Sequence, residues 1–327
     1  MRVFLLIVLA LLVGAGIYGY TPDVAHEKLV ERYGGAPSKY VQLSDGTTAH
    51  YRDQGNSSGV AVLLLHGSSS SLFTWEGWAP MLGVKYRVIT VDLPGHGLTG
   101  RTPGDNYSFD AYQAFVERFT KAIGVEQFVI GGHSMGGEIA ARFTLNLPDR
   151  VKALILVDAS GVDVPNLKRE EPLGFKLLRT PVIRAGLRWF TPKALVKEGL
   201  KKFYVDPNRV TDEQVERYWM LIRHKGNRVA LIKRYSLPKP VSLNDRLARM
   251  GTPTLILWGE QDRLEPIEVG KLYASSIAGA EAIYLPNVGH VPQEEAPEES
   301  AAAVLELLKR YDQSIPQAPE LSSGNGG

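Results

Sequence analysis

Six short runs of apolar residues, spread over most of the chain, limit most strongly what this sequence can fold into. Each run is continuous rather than alternating, which is typical of strands buried on both faces of a parallel sheet. Helical patterns lie between several runs, for example over residues 111–124 and 136–148. This alternation predicts an α/β fold with a doubly wound, mostly parallel sheet. The runs are VAVLLL (60–65), YRVITVD (86–92), FVIGG (128–132), ALILVD (153–158), TLILWG (254–259) and AIYLP (282–286).

Two segments depart from the alternation. Residues 40–55 surround an Asp45-Gly46 pair and predict an antiparallel hairpin ahead of the parallel strands. Residues 161–249 contain no strand pattern, and their helical segments predict an inserted helical cap over the sheet. We therefore expect a core formed by residues 40–160 and 250–311, with the cap inserted between the two parts.

The amino-terminal segment predicts a membrane anchor. Residues 3–20 carry no charge, and as a helix they would reach ~27 Å, close to the ~30 Å of a hydrocarbon core. The length of this run and its GIYGY end favour an uncleaved, single-pass signal anchor over residues 1–20, with a cleaved signal peptide as the alternative. Arg2 ahead of the run places the remainder outside the cytoplasm, on the periplasmic side in a bacterium.

The segments next to the anchor and at the carboxyl end are expected to lie outside the folded core. Residues 21–39 predict a short helix that serves as a stalk. Residues 312–327 are rich in Pro, Ser, Gly and Asn and are expected to be disordered.

Several kinds of chemistry are excluded by what the sequence lacks. The chain has no cysteine, which removes disulfides, cysteine-ligated zinc, iron–sulfur clusters and thiol catalysis. No G-x-G-x-x-G opens a helix after a strand, and neither G-x-x-x-x-G-K-[ST] nor H-E-x-x-H occurs. We therefore expect no cofactor, no metal and no nucleic-acid partner.

The charge is unevenly distributed although the net charge is only +2. Residues 161–250 hold 20 Lys and Arg against 9 Asp and Glu, so the predicted cap is strongly basic. This is either an ordinary solvated helical surface or a face that contacts anionic membrane lipid beside the anchor.

The segment FVIGGHSMGGEIAARF combines a buried strand, a tight turn and a helix. At its centre, Gly132-His133-Ser134-Met135-Gly136 fits G-x-S-x-G at a strand-to-helix turn, which is where a nucleophilic serine is held. The flanking glycines are needed because a Cβ there would collide with the neighbouring strand or helix. We expect Ser134 to be a nucleophile above the carboxyl edge of the sheet.

A serine nucleophile needs a histidine to remove its proton and an acid to orient that histidine. In this topology the chain order is serine, acid, histidine, and only His224 and His290 follow Ser134. His290 follows the last strand pattern, whereas His224 lies among basic residues of the cap, so we assign the base to His290. The acid is expected at Asp262, after a late strand, with Asp158 at the end of an earlier strand as the alternative.

The negative charge of the transition state needs two N–H donors. The amide of Met135, directly after the nucleophile, is expected to be one. The amide of Ser68, in an early loop, is expected to be the other, with Ser69 as the alternative. His66 and His96 lie in glycine-flanked turns and are expected to be structural.

Aromatic residues near this loop and in the cap are candidates for contacts with a substrate. Phe73 and Trp75 follow the loop that contains Ser68, which we call the oxyanion loop, and are expected at the entrance of the site. Trp189 and Trp219 lie among many apolar cap residues, which either form a pocket over Ser134 or pack the cap onto the core.

Five motifs together resemble those of the α/β-hydrolase superfamily, in its serine-nucleophile, cap-bearing branch of esterases, lipases and haloperoxidase-like enzymes. The resemblance extends over residues 40–311 and implies a cofactor-free hydrolase that works through an acyl-enzyme. The segments YTPD and LVERYGG also resemble the start of membrane-anchored bacterial members. The five motifs are LLLHGSSSS (63–71), DLPGHGLTGR (92–101), GGHSMGG (131–137), LWGEQDR (257–263) and NVGHVPQEEAPE (287–298).

Three functions are open from the sequence. The first is a serine hydrolase that cleaves carboxylic esters, including hydrophobic or lipid-like ones. The second uses the same residues for hydrolysis of a C–C bond in an acidic diketone or for perhydrolysis. The third is a binding protein or receptor without turnover, against which the complete set of Ser134, Asp262 and His290 argues.

Overall fold

An eight-stranded sheet lies at the centre of the computed structural model, which describes residues 19–314. The strands are β1 (Ser38–Gln42), β2 (Thr48–Gly55), β3 (Ala61–Leu65), β4 (Arg87–Val91), β5 (Phe128–His133), β6 (Val151–Val157), β7 (Thr254–Gly259) and β8 (Glu281–Leu285). Their order is β1-β2-β4-β3-β5-β6-β7-β8, with β1–β2 and β2–β4 antiparallel and every other pair parallel. The α/β fold with a mostly parallel sheet is thereby confirmed.

The side chains of the parallel strands point alternately into two apolar layers, one on each face of the sheet. In β3, Leu63 and Leu65 join one layer while Val62 and Leu64 join the other. All four side chains are buried. Because both faces are covered, the strand sequences are continuously apolar rather than alternating.

Helices cover both layers, as expected for a doubly wound sheet. Phe143 and Tyr273 belong to helices on one face, whereas Trp78 and Val304 belong to helices on the other. The helices outside the insertion are α1 (His26–Tyr33), α2 (Trp78–Leu82), α3 (Phe109–Ala122), α4 (Met135–Asn146), α10 (Ile267–Ser276), α11 (Pro292–Glu295) and α12 (Pro297–Ser314).

Five helices follow one another between β6 and β7 and form the cap. They are α5 (Leu173–Arg179), α6 (Pro181–Gly186), α7 (Lys193–Lys201), α8 (Asp212–Ile222) and α9 (Asn227–Ser236). Part of the cap's basic charge is neutralised by acids from outside it. These ion pairs are Arg169–Glu265, Arg217–Glu76, Arg228–Asp23 and Lys233–Asp105.

The predicted stalk is bound to the cap rather than standing apart from it. Thr21 N donates to Trp189 O at 2.9 Å, and Thr191 N donates to Thr21 Oγ1 at 2.8 Å. Val24 N donates to Arg223 O at 2.7 Å. We call residues 21–26 the N-terminal strap, because they run along the cap and hydrogen-bond to it.

Charged and aromatic side chains add to the strap. Nη2 of Arg228, a buried residue, lies 2.6 Å from Asp23 Oδ1, and the rings of His26 and His224 stack with nitrogens 3.1 Å apart. The short helix predicted within residues 21–39 is present as α1, but residues 21–26 ahead of it are hydrogen-bonded to the cap. Polar backbone next to an uncovered cap edge gains partners by docking there, which the local sequence pattern does not reveal.

The predicted anchor falls on residues 1–20, of which 1–18 lie outside the described residues, so it stays a prediction. Within residues 19–314, no helix combines the length and the apolar character needed to cross a membrane. At the other end, α12 continues to Ser314, three residues into the predicted tail. Residues 315–327 lie outside the described part.

Candidate active site

Ser134 lies at a sharp turn between β5 and α4, with φ of 53° and ψ of −118°. This backbone conformation is strained for a residue with a side chain. The turn fits only because its neighbours lack side chains: a Cβ on Gly132 would lie 2.2 Å from Gly136 O, and one on Gly136 would lie 2.3 Å from Leu65 O. The strand-to-helix turn therefore holds Ser134 at the carboxyl edge of the sheet.

His290 and Asp262 form a buried pair on the same side of the sheet. His290 Nδ1 donates to Asp262 Oδ2 at 2.7 Å, and Asp262 Oδ1 accepts from the amides of Leu264 and Glu265 at 2.8 and 3.0 Å. These bonds fix the carboxylate and direct His290 Nε2 away from it. Nε2 is then the nitrogen available to take a proton from a hydroxyl.

Ser134 and His290 line the same cavity. Among the described residues there is no hydrogen bond between the Ser134 hydroxyl and the His290 ring. Such bonds are often long in a hydrolase without substrate and shorten when the substrate binds. A hydrogen bond fixes the two segments relative to each other. His133, which precedes the serine, donates through its side-chain Nε2 to the backbone oxygen of His290 at 2.6 Å.

Asp158, the alternative acid, lies beside Asp262. One polar atom from each of Asp158, Asp262 and His290 lies within 4.8 Å of the other two. Asp158 Oδ1 accepts from Gly259 N at 3.1 Å, while Oδ2 is buried without a partner. Burial, and next the charge of Asp262, raise the pKa of Asp158 well above its usual value. We expect Asp158 to be neutral, in which case a protonated Oδ2 gains a partner by donating a hydrogen bond to the Asp262 carboxylate.

This arrangement predicts a pH-dependent effect of Asp158→Asn on stability. A carboxyl with a raised native pKa binds a proton that the unfolded chain has released, so its contribution to stability falls as pH rises above about 4. The asparagine amide keeps the donor to Asp262 without that loss. In urea unfolding we expect Asp158→Asn to match the native protein near pH 4 and to be more stable at pH 7.5. An equal difference at both pH values would contradict a neutral Asp158.

The two candidate oxyanion donors lie near the nucleophile. The amides of Ser68 and Met135 have no acceptor within the described part of the chain. Ser68 lines the cavity that contains Ser134, whereas Ser69 lies along neighbouring cavities only. This geometry favours Ser68 over Ser69 as the partner of Met135.

Two neighbouring cavities lie between the cap and the sheet. The catalytic cavity, of about 250 Å³, contains Ser134 and His290 and is lined by many charged residues. A second, apolar cavity of about 100 Å³ lies among the cap helices. The two share the residues Ser68, Phe175, Phe203 and Tyr218. The apolar cavity is lined further by Pro172, Gly174, Leu178, Leu187, Leu195, Val196, Leu200, Ile222, Leu231 and Ile232.

The four aromatic residues predicted to contact substrate line neither cavity. Trp75 is fully buried against Trp78, with ring centres 4.9 Å apart, and Phe73 packs in a cluster with Leu29 of α1. Both predictions are wrong, because the segment after the oxyanion loop turns into the core.

The two cap tryptophans lie beside the N-terminal strap instead. Trp189 is 46% exposed and stacks on Tyr20, while Trp219 donates through Nε1 to Thr191 O at 2.7 Å. Their assignment to the substrate pocket is wrong, because Trp189 lies in the turn between α6 and α7 and Trp219 packs against the cluster that contains Val24.

Two acidic residues that the sequence did not single out connect the cap to the histidine loop. Glu295 accepts from Val205 N of the cap at 2.9 Å and from Gly289 N at 2.7 Å. Glu294 accepts from Tyr218 Oη at 2.8 Å. The only signal was their position shortly after His290, which does not reveal that both point toward the cap.

A serine at a strand-to-helix turn, facing a buried histidine–aspartate pair, defines the class of site that serine hydrolases use. Residues 60–297 match the family model described as alpha/beta hydrolase fold. The protein belongs to the α/β-hydrolase family.

Similar proteins differ in what their names say they act on. The chain is 26% identical to an uncharacterized hydrolase, YugF, of Bacillus subtilis over 81% of this chain and 96% of the relative. It is 29% identical to a 2-hydroxy-6-oxononadienedioate/2-hydroxy-6-oxononatrienedioate hydrolase of Burkholderia vietnamiensis, over 84% of this chain and 96% of the relative. A solved membrane phospholipase A is similar with a TM-score of 0.74 and 27% identity, covering 96% of this chain and 100% of that one.

Proposed function

We propose that this α/β hydrolase cleaves carboxylic esters whose acyl group is apolar, through an acyl-enzyme on Ser134. The observation that carries the proposal is the apolar cavity, which adjoins the catalytic cavity and shares four lining residues with it: Ser68, Phe175, Phe203 and Tyr218. An ester whose carbonyl lies at Ser134 can extend its acyl chain into this cavity. The similarity to a membrane phospholipase A gives further support.

In the proposed mechanism, Ser134 Oγ attacks the acyl carbon while His290 Nε2 takes the hydroxyl proton. Asp262 holds the ring through Nδ1 and stabilises the imidazolium that forms. The amides of Ser68 and Met135 donate to the oxyanion of the tetrahedral intermediate. His290 then gives its proton to the leaving alcohol, and water activated by the same nitrogen releases the acid from Ser134.

Labelling with a fluorophosphonate tests for an activated serine without assuming a substrate. We expect the native protein to be labelled and Ser134→Ala to remain unlabelled. A folded native protein that resists labelling would refute an activated Ser134 and favour a binding protein that does not turn over.

Filling the apolar cavity should change the preference for acyl length. Leu195 lies on α7 and lines the cavity, so Leu195→Trp should remove space for long chains. We expect kcat/KM for a p-nitrophenyl octanoate to fall by roughly tenfold or more, the effect of several lost CH₂ contacts, while that for the acetate stays unchanged.

Ile183→Trp is the matched control for this substitution, because Ile183 lies on α6 of the same cap, is 46% exposed and lines neither cavity. It should leave the ratio of octanoate to acetate hydrolysis as in the native protein. An equal loss for both esters in Leu195→Trp would place the acyl group elsewhere.

A second candidate function is hydrolysis of a C–C bond in an acidic diketone. It is favoured by the charged lining of the catalytic cavity and by relatives named as hydrolases of 2-hydroxy-6-oxo dienoates. Turnover of such a compound at a rate well above that of any ester would select this function. Two predictions from the sequence stay proposals with either function. One is that residues 3–20 and the basic cap contact membrane lipid. The other is that the catalytic domain lies outside the cytoplasm.

A further inference from the structure

Arg234 lies in the catalytic cavity with most of its hydrogen-bonding capacity unused. It is partly buried on α9, and its Nε donates to Met135 Sδ at 3.4 Å. Its guanidinium carbon lies 4.5 Å from the centre of the Phe109 ring. A guanidinium has five N–H donors, and a thioether sulfur is a weak acceptor. The remaining donors are available to a group inside the cavity.

The other charged residues of the cavity are arranged differently. Each acid that lines it is hydrogen-bonded to a base, so each of these bases already has a side-chain partner. The pairs are Glu138–Arg142, Asp163–Lys239, Glu171–Arg179 and Glu265–Arg169. Within residues 19–314, Arg234 has no carboxylate partner. Buried or half-buried polar groups without a protein partner usually bind water or a ligand.

The position of Arg234 in the catalytic cavity indicates which part of an ester it would contact. If the acyl chain enters the apolar cavity, as the proposed function requires, the alcohol part lies in the catalytic cavity with Arg234. We infer that Arg234 selects esters whose alcohol part carries a phosphate or a carboxylate. This inference rests on the proposed function.

The chemistry of the group fits such a role. A guanidinium matches phosphate and carboxylate oxygens with two parallel N–H donors, and hydrogen bonds to charged groups are stronger than those between neutral groups. Contact with Met135, whose amide is a proposed oxyanion donor, holds the guanidinium close to the reacting carbonyl. The Phe109 ring lies against the guanidinium as well, with its centre 4.5 Å from the guanidinium carbon.

The test compares three hexanoyl esters with the full chain: 1-hexanoyl-glycerol 3-phosphate, 1-hexanoyl-glycerol and hexanoyl-lactate. We expect the native protein to prefer one or both anionic esters over the neutral glycerol ester. Arg234→Met should lower kcat/KM for the preferred anionic ester about 10- to 100-fold, as for a lost hydrogen bond to a charged group. It should leave the neutral ester nearly unchanged. Comparison of the phosphate ester with the lactate ester shows whether Arg234 prefers a phosphate or a carboxylate.

Two further variants separate specific recognition from charge or packing. Arg234→Lys keeps the charge but loses the two-pronged geometry, so its preference should lie between those of the native protein and Arg234→Met. Lys233→Gln removes a neighbouring cation whose Nζ pairs with Asp105 and which lines neither cavity, and it should leave the preference unchanged. Equal losses on neutral and anionic esters in Arg234→Met would mean that Arg234 only positions Met135, and would overturn the inference.

A binding measurement distinguishes failure of this inference from failure of the proposed function. Ser134→Ala should bind 1-hexanoyl-glycerol 3-phosphate without cleaving it. Adding Arg234→Met to that variant should weaken binding about tenfold or more. If native protein cleaves no ester but the Arg234 effect on binding remains, the proposed reaction fails and the anion site stands. If both variants bind the anionic ester equally well, or neither binds it, the anion site is refuted.

Discussion

Replacing Ser134 by alanine should reduce kcat for ester hydrolysis by roughly 10⁴- to 10⁶-fold, because no other group can then form the acyl-enzyme. The hydroxyl is the atom that attacks, whereas His290 and Asp262 only make it reactive. Steady-state hydrolysis of p-nitrophenyl hexanoate by the native protein and Ser134→Ala measures the effect. Thermal unfolding should be little changed, because alanine keeps the Cβ that the turn already accommodates.

The control for this loss is a serine of the same region that plays no part in the attack. Ser71 precedes the short 3-10 helix Leu72–Trp75 and is buried, but it does not line the catalytic cavity. Ser71→Ala should retain activity close to the native value. Residual activity of Ser134→Ala above about 1% of the native rate would mean that another nucleophile, or attack by water alone, accounts for the reaction.

Gly136→Ala should cause a large loss of stability although it adds only a single methyl group. A Cβ at this position would lie 2.3 Å from Leu65 O and 2.6 Å from His66 O, and backbone atoms of a central strand and its loop cannot easily move away. Overpacking of this kind costs about 3 kcal/mol or more, which corresponds to a decrease in Tm of roughly 6–12 °C in a domain of this size. Differential scanning calorimetry measures it.

Gly186→Ala is the matched control, because Gly186 ends α6 and a Cβ there meets nothing within 4 Å. It should leave Tm unchanged or raise it slightly. If α4 moves to relieve the clash in Gly136→Ala, the loop that carries Ser68 shifts relative to Ser134. Activity should then fall even at temperatures where the variant is folded. A Gly136→Ala protein with native Tm and native activity would show that α4 does not approach β3 as closely as described.

The sheet and the positions of the chemical groups could be predicted because local pattern decides them. Strands buried on both faces are continuously apolar, and a serine between two glycines at a strand-to-helix turn leaves few conformations open. His290 followed from chain order, and Asp262 from its place after β7. The geometry agrees with that choice: Asp262 contacts the imidazole, while Asp158 lies behind it and shares its buried environment.

The lining of the site could not be predicted in the same way. Trp75 was chosen because it follows the loop that contains Ser68, and Trp189 because it lies among apolar cap residues, but burial depends on which side of a turn or helix packs inward. Arg234 is one of twenty basic residues in a region without a distinguishing motif, and only the fold places it beside Met135. Contacts between segments far apart in sequence, such as Glu295 with Val205, leave no local pattern.

The N-terminal strap sets a limit on where the chain can be cut. Cleavage by a peptidase before Thr21 removes the Tyr20 ring that stacks on Trp189, but it leaves every residue of the strap in place and adds a terminal ammonium near the carbonyl of Trp189. Cleavage beyond Asp23 removes the carboxylate that faces Arg228, a buried residue that also lines the apolar cavity. An arginine left there without its partner costs roughly 1–3 kcal/mol. An active form that has been cleaved should therefore begin at or before Asp23, and a shortened version for crystallisation should begin there as well.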